Sequence, residues 1–133
     1  MASISRTSLH ILMVAGLFFT SAAHPYELEQ ANANMAQDLI TCMTYFNYWS
    51  KVNRRDGTDS APYDTSAKWA LRLAQTYLPE MKKQEAMSEL SAKFINKLVE
   101  KEGSTRLVLT YADSCKSMLE HPTTRMQFWL DKQ

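Results

Sequence analysis

The sequence predicts an all-α protein, and three observations carry that reading. Apolar residues return every three or four positions through most of residues 26–130. No run bounded by turn residues alternates apolar and polar over the length of a strand; Leu107, Val108 and Leu109 imitate one briefly inside a longer helical pattern. Glycine and proline fall at a few spaced positions, Gly57, Pro62, Pro79, Gly103 and Pro122, and cut the chain into four main helical segments and a short tail.

The first segment, Tyr26 to Asn53, lacks both breakers and carries Met35, Leu39, Cys42, Phe46 and Trp49 along one face. The turn-rich stretch from Arg55 to Pro62 ends it in an exposed loop. Asp64 or Thr65 is expected to cap a second, shorter helix with the stripe Ala67, Leu71, Ala74 and Leu78. Pro79 suits the first turn of a third helix, in which Met87, Leu90, Phe94, Ile95 and Leu98 are expected to share a face up to Gly103. Ser104 or Thr105 is expected to cap the fourth, whose face is Val108, Tyr111, Ala112, Cys115, Met118 and Leu119. The tail from Thr123 to Leu130 has the length of a short fifth helix, marginal alone, with Met126 and Trp129 or Leu130 turned to the body.

Ahead of the helices, residues 1–23 have the three parts of a cleavable signal peptide: a basic start with Arg6, an apolar run from Leu9 to Phe19, and small Ser21, Ala22 and Ala23. Cleavage is expected after Ala23, leaving residues 24–133 as a single helical domain. The apolar run is about half of the roughly 20 residues a membrane span requires, so no stable membrane insertion is expected after cleavage. The implied address is the periplasm or the cell exterior.

Removing the leader takes Arg6 from 15 basic residues and nothing from 14 acidic ones, leaving 14 against 14. With no net charge and no basic stripe to displace counterions from phosphates, nucleic acid is not an expected partner. A chain of this length buries about 60–70% of its unfolded surface, enough for one core.

Cys42 and Cys115 both lie in the mature part, and an even pair in an oxidising compartment is expected to form a disulfide. Each thiol is in phase with the apolar face of its segment, so the first and fourth helices should be neighbours. Both positions are mid-helix and no Cys-x-x-Cys occurs, which argues against a redox thiol.

Few residues offer chemistry. His24 would stand at the new amino terminus and could help grip copper, but the only other mature histidine, His121, has no local spacing to it. Met35 and His121 sit where exported four-helix cytochromes hold haem, yet at about 100° per residue His121 points roughly 120° away from the Cys115 stripe. Asp56, Asp59 and Asp64 flank a glycine without the alternating ligands and closing Glu of a calcium loop, and Glu85, Glu89, Lys93 and Lys97 read as a solvent face. No Gly-x-Ser-x-Gly, His-Glu-x-x-His or phosphate-cradling loop is present. No catalytic residue, metal ligand or cofactor is therefore assigned.

The excess is aromatic. Tyr45, Phe46, Tyr48 and Trp49 crowd two turns of the first helix, too many for one face. Tyr48 with Ile40 falls near its opposite side, and Trp69 with Leu73 lies opposite the Leu71 stripe of the second. Either other helices cover these second faces, or Ile40, Tyr48, Trp69 and Leu73 form a surface for a protein partner, where Tyr and Trp concentrate. In size, leader and cysteine pairing the chain resembles small bacterial periplasmic helical proteins, among them immunity proteins that neutralise exported toxins; the resemblance carries no motif and implies no site residue. The expectation is a non-catalytic, exported, partner-binding protein of immunity or inhibitor type. The alternatives are a small-ligand or haem carrier with its pocket inside the bundle, and a small hydrolase whose site converges only in three dimensions.

Overall fold

Five α-helices, and no strand, make up the regular structure of the described residues: α1 Pro25–Arg55, α2 Ala61–Tyr77, α3 Gln84–Glu102, α4 Ser104–Glu120 and α5 Pro122–Asp131. A computed structural model describes residues 25–80 and 84–132, with side chains from Glu27 and, after the break, from Met87. The leader, its cleavage point and His24 lie outside the described residues.

The long first helix is the central rod. Its 31 residues span about 46 Å at 1.5 Å per residue, and α2, α3, α4 and α5 all pack on it. Buried positions run from Tyr45 through Met35, Leu39, Cys42 and Phe46 to Ala36, Ile40 and Thr44, an arc of about 260° at 100° per residue. A helix enclosed on most sides has no single apolar stripe, so the aromatic and aliphatic surplus of this segment is mainly core. Thr44 satisfies its hydroxyl at the Ile40 carbonyl, 2.9 Å away.

Gly57, at φ +72°, ends the rod. Its N–H reaches the Arg54 carbonyl at 3.3 Å while that of Thr58 reaches Asn53 at 2.8 Å, the paired bonds of a Schellman stop. Only a residue without Cβ takes that left-handed geometry freely.

The second helix starts a full turn before the expected cap. Pro62 fits the first turn, where its missing N–H costs nothing, and Asp59 accepts the Ala61 N–H at 2.9 Å. Asp64 is thus inside α2 and does not cap it; it accepts from Ser50 at 2.6 Å and pairs with Arg54. The buried side of α2 is Ala67, Ala70 and Ala74, with Leu71 and Leu78 half-buried. Side chains that stop at Cβ let the two backbones approach closely.

Two expectations for α3 are corrected. Residues 78–80 are not helical and α3 begins at Gln84, so Pro79 does not open it. The face also differs, because this helix carries two apolar stripes and only one can meet α1. Ser91, Ile95, Leu98 and Val99 turn inward, and Gln37 of α1 donates to the Ser91 hydroxyl at 3.4 Å. Leu90 and Phe94 are left outside, 65% and 55% exposed. Small Ser91 and Ala92, which hydrophobicity alone passes over, make that side the better fit against the rod.

Gly103, at φ +80°, turns the chain into α4 and occupies the cap position itself, so neither Ser104 nor Thr105 is the cap. The inner face of α4 is Leu107, Tyr111, Cys115 and Met118; Val108, expected on that face, is exposed, because Leu107 beside it takes the inward position. Cys42 and Cys115 are disulfide-bonded with Cα atoms 5.4 Å apart, joining α1 to α4 as expected. Pro122 opens α5, which lays Met126 and Trp129 against the core.

Candidate functional site

What holds α5 in place also shapes a recess between three helices. Asp38, on α1, accepts from Arg125 Nε and Trp129 Nε1 through one oxygen, Oδ2, each at 2.7 Å. Charge-assisted bonds of this length are the strong kind. The Arg125 guanidinium lies over the Phe128 ring at 4.3 Å, and the Lys132 ammonium approaches the same ring at 4.4 Å. The clamp keeps α5 beside α1, and a groove of about 360 Å³ remains between α1, α4 and α5.

Its floor is Cys42 and Met118, next to the disulfide. Tyr111 and Phe128 stand as aromatic walls, and burial pushes the Tyr111 phenol above its ordinary range, keeping it protonated. Thr41, Thr110 and Ser114 line the sides. These hydroxyls donate along their own helices, to Gln37 at 3.0 Å, Arg106 at 2.8 Å and Tyr111 at 3.2 Å, so each retains lone pairs for another donor. His121, at the corner between α4 and α5, completes the rim.

A groove holding His121 and Asp38 has two ingredients of a hydrolase, but not their arrangement. One carboxylate oxygen is committed to the clamp, and no hydrogen bond among the described residues joins His121 to a groove hydroxyl, as a nucleophile and its base would require. Met35 is wholly buried in the core and does not line the groove, so it and His121 do not form a haem-ligating pair. Each aspartate that flanks Gly57 in the sequence has a partner of its own: Arg55 for Asp56, the Ala61 amide for Asp59, and Ser50 and Arg54 for Asp64 in α2. Among the described residues no cluster of three metal-binding side chains occurs.

The four residues expected to form a partner surface are not brought together. Ile40 is 1% exposed and belongs to the core, which removes it from any accessible face. Tyr48 is half-buried in a cleft shared with Ser88, Ala92 and Ile95 of α3. Leu73 is half-buried against the core. Trp69 alone is prominent, 47% exposed in a depression bounded by Lys68 and Arg72 of its own helix.

The open apolar surface lies elsewhere. Leu90 and Phe94, a helical turn apart, line the outer side of α3, and Leu109 projects from α4 at 76% exposure. At 100° per residue, Leu90, Phe94, Lys97 and Lys101 fall within about 60° of one another, and both lysines are exposed. The spacing of Leu90 and Phe94 is visible in the sequence, but it is the spacing of a core face. Asp38 gave no signal at all, since its partners lie 87 and 91 residues away. No family model, curated protein or solved structure matches the chain.

Proposed function

We propose that this is a small, exported, non-catalytic protein that acts by binding a protein partner, in the manner of a periplasmic immunity or inhibitor protein, through the outer side of α3. The observation that carries the reading is the exposure of Leu90 and Phe94 on one line that continues into Lys97 and Lys101. Large apolar side chains on a solvent face lose about 1.5–3 kcal/mol each relative to burial, and grouped exposure of this kind marks interaction sites. The partner that fits is a protein surface with an apolar recess and carboxylates beyond one end of it. Export follows from residues 1–23 read as a signal, and the Cys42–Cys115 bond suits an oxidising compartment. No helix among the described residues is long and apolar enough to cross a membrane.

The test replaces Leu90 and Phe94 together by Ala. Because both are exposed, melting should barely change, while a partner crosslinked to the unaltered protein in envelope extract should be recovered about tenfold less. Raising the salt should lower recovery with the unaltered protein, through Lys97 and Lys101. A partner captured equally well by both forms sinks the assignment of α3.

A further inference from the structure

The groove between α1, α4 and α5 is separate from the α3 line and differs from it in chemistry. The charged pair of its lining, Asp38 and Arg125, is joined by a bond of 2.7 Å, while Lys132 stands outside the lining against the Phe128 ring. An ion entering there would find no lining charge free of a partner. An apolar ligand such as a fatty acid would strand hydroxyls and an ion pair without water, which is costly. The contents match a ligand that both donates and accepts over its whole surface.

The acceptors are the Thr41, Thr110 and Ser114 hydroxyls, whose protons are already given to their own helices, and Asp38 Oδ1, which makes no hydrogen bond among the described residues. The donors are the terminal nitrogens of Arg125, held in one plane because Nε is bonded to Asp38 and the guanidinium rests on Phe128. A sugar hydroxyl bonds to both kinds at once, and the C–H face of a sugar ring packs on an aromatic wall such as Tyr111. We infer that the groove is a binding site for a neutral saccharide. Its volume of about 360 Å³ lies at the lower end of the range of about 300–1,000 Å³ for small-molecule sites, room for about one or two pyranose rings. Free sugar and the ends of envelope glycans share this chemistry.

The experiment titrates the mature protein with glucose, galactose, N-acetylglucosamine and their disaccharides, reading amide shifts by NMR. Inorganic phosphate and decanoate serve as controls. Saturable shifts at Thr41, Ser114 and Arg125 are expected with at least one sugar, at a Kd of about 1 mM or tighter. Preference for a monosaccharide or for a disaccharide distinguishes free sugar from a glycan end. Ser114→Phe, an exposed position where a ring fills the groove, should weaken binding about tenfold while the rest of the spectrum stays folded. The Leu90 and Phe94 alanine variant should bind sugar as the unaltered protein does, so the two proposals fail independently. Absence of saturable shifts for every sugar overturns the inference, as does a response to phosphate or decanoate alone at the same residues.

Discussion

Removing the cross-link by replacing Cys42 and Cys115 together with Ala is the perturbation whose size follows most directly from the structure. The two residues are 73 apart, and closing a loop of that length in the unfolded chain is worth about 4 kcal/mol in the chain-entropy treatment. Both sulfurs are buried beside Met118, so their loss also empties space in the core and adds about 1 kcal/mol. A small domain has only about 5–15 kcal/mol in total, so the variant should lose at least about a third of its stability. The effect should concentrate on α4, whose packing on the rod is slight compared with that of α2. Urea titration followed by circular dichroism measures the loss, and hydrogen exchange locates it in residues 104–120. A variant within about 1 kcal/mol of the oxidised protein would refute the argument that the bridge, and not apolar packing, holds α4 to the rod.

Two further outcomes follow from the polar contacts. Asp38→Ala removes both clamp bonds at once; since Asp38 and Arg125 keep some solvent contact, the cost should be about 2–3 kcal/mol, read from urea midpoints, with α5 amides losing protection first. A loss confined to a few tenths would mean that Met126 and Trp129 dock α5 without the clamp. Acid sensitivity should trace in part to Asp64, whose carboxyl is held below its usual range by the Ser50 hydroxyl first and Arg54 second. A lowered folded value means stability present above about pH 4, the unfolded value, and lost as pH falls further through the folded one. Asp64→Asn should therefore be less stable at neutral pH yet lose less between about pH 4 and pH 2; equal acid losses in the two proteins would contradict the contact.

Much of the architecture was legible because helical periodicity and chain breakers are local properties. Gly57 and Gly103 stop helices where a left-handed residue is needed, and the phase of Cys42 and Cys115 placed the first helix beside the fourth. The failures are equally physical. Asp64 resembles a cap but answers to Ser50, fourteen residues earlier, a choice made by tertiary contact. On α3 the two apolar stripes are nearly equal, and small Ser91 and Ala92 decided between them through fit. Ile40 fell on what looked like a free second face of a helix that is in fact enclosed over most of its circumference. The groove was invisible for a related reason: its lining comes from three helices, and the Asp38 clamp spans nearly the whole described chain.

The alanine seam between α1 and α2 bears on the order of events during folding. These helices are consecutive and joined by residues 56–60 alone, so their meeting requires little loop closure and should precede any contact of high sequence separation. Cys42 would then be presented on an assembled hairpin before Cys115 arrives with α4. Covalent capture thus fixes α4 against a hairpin that noncovalent forces have already assembled, and with two cysteines in the sequence no other pairing within it competes.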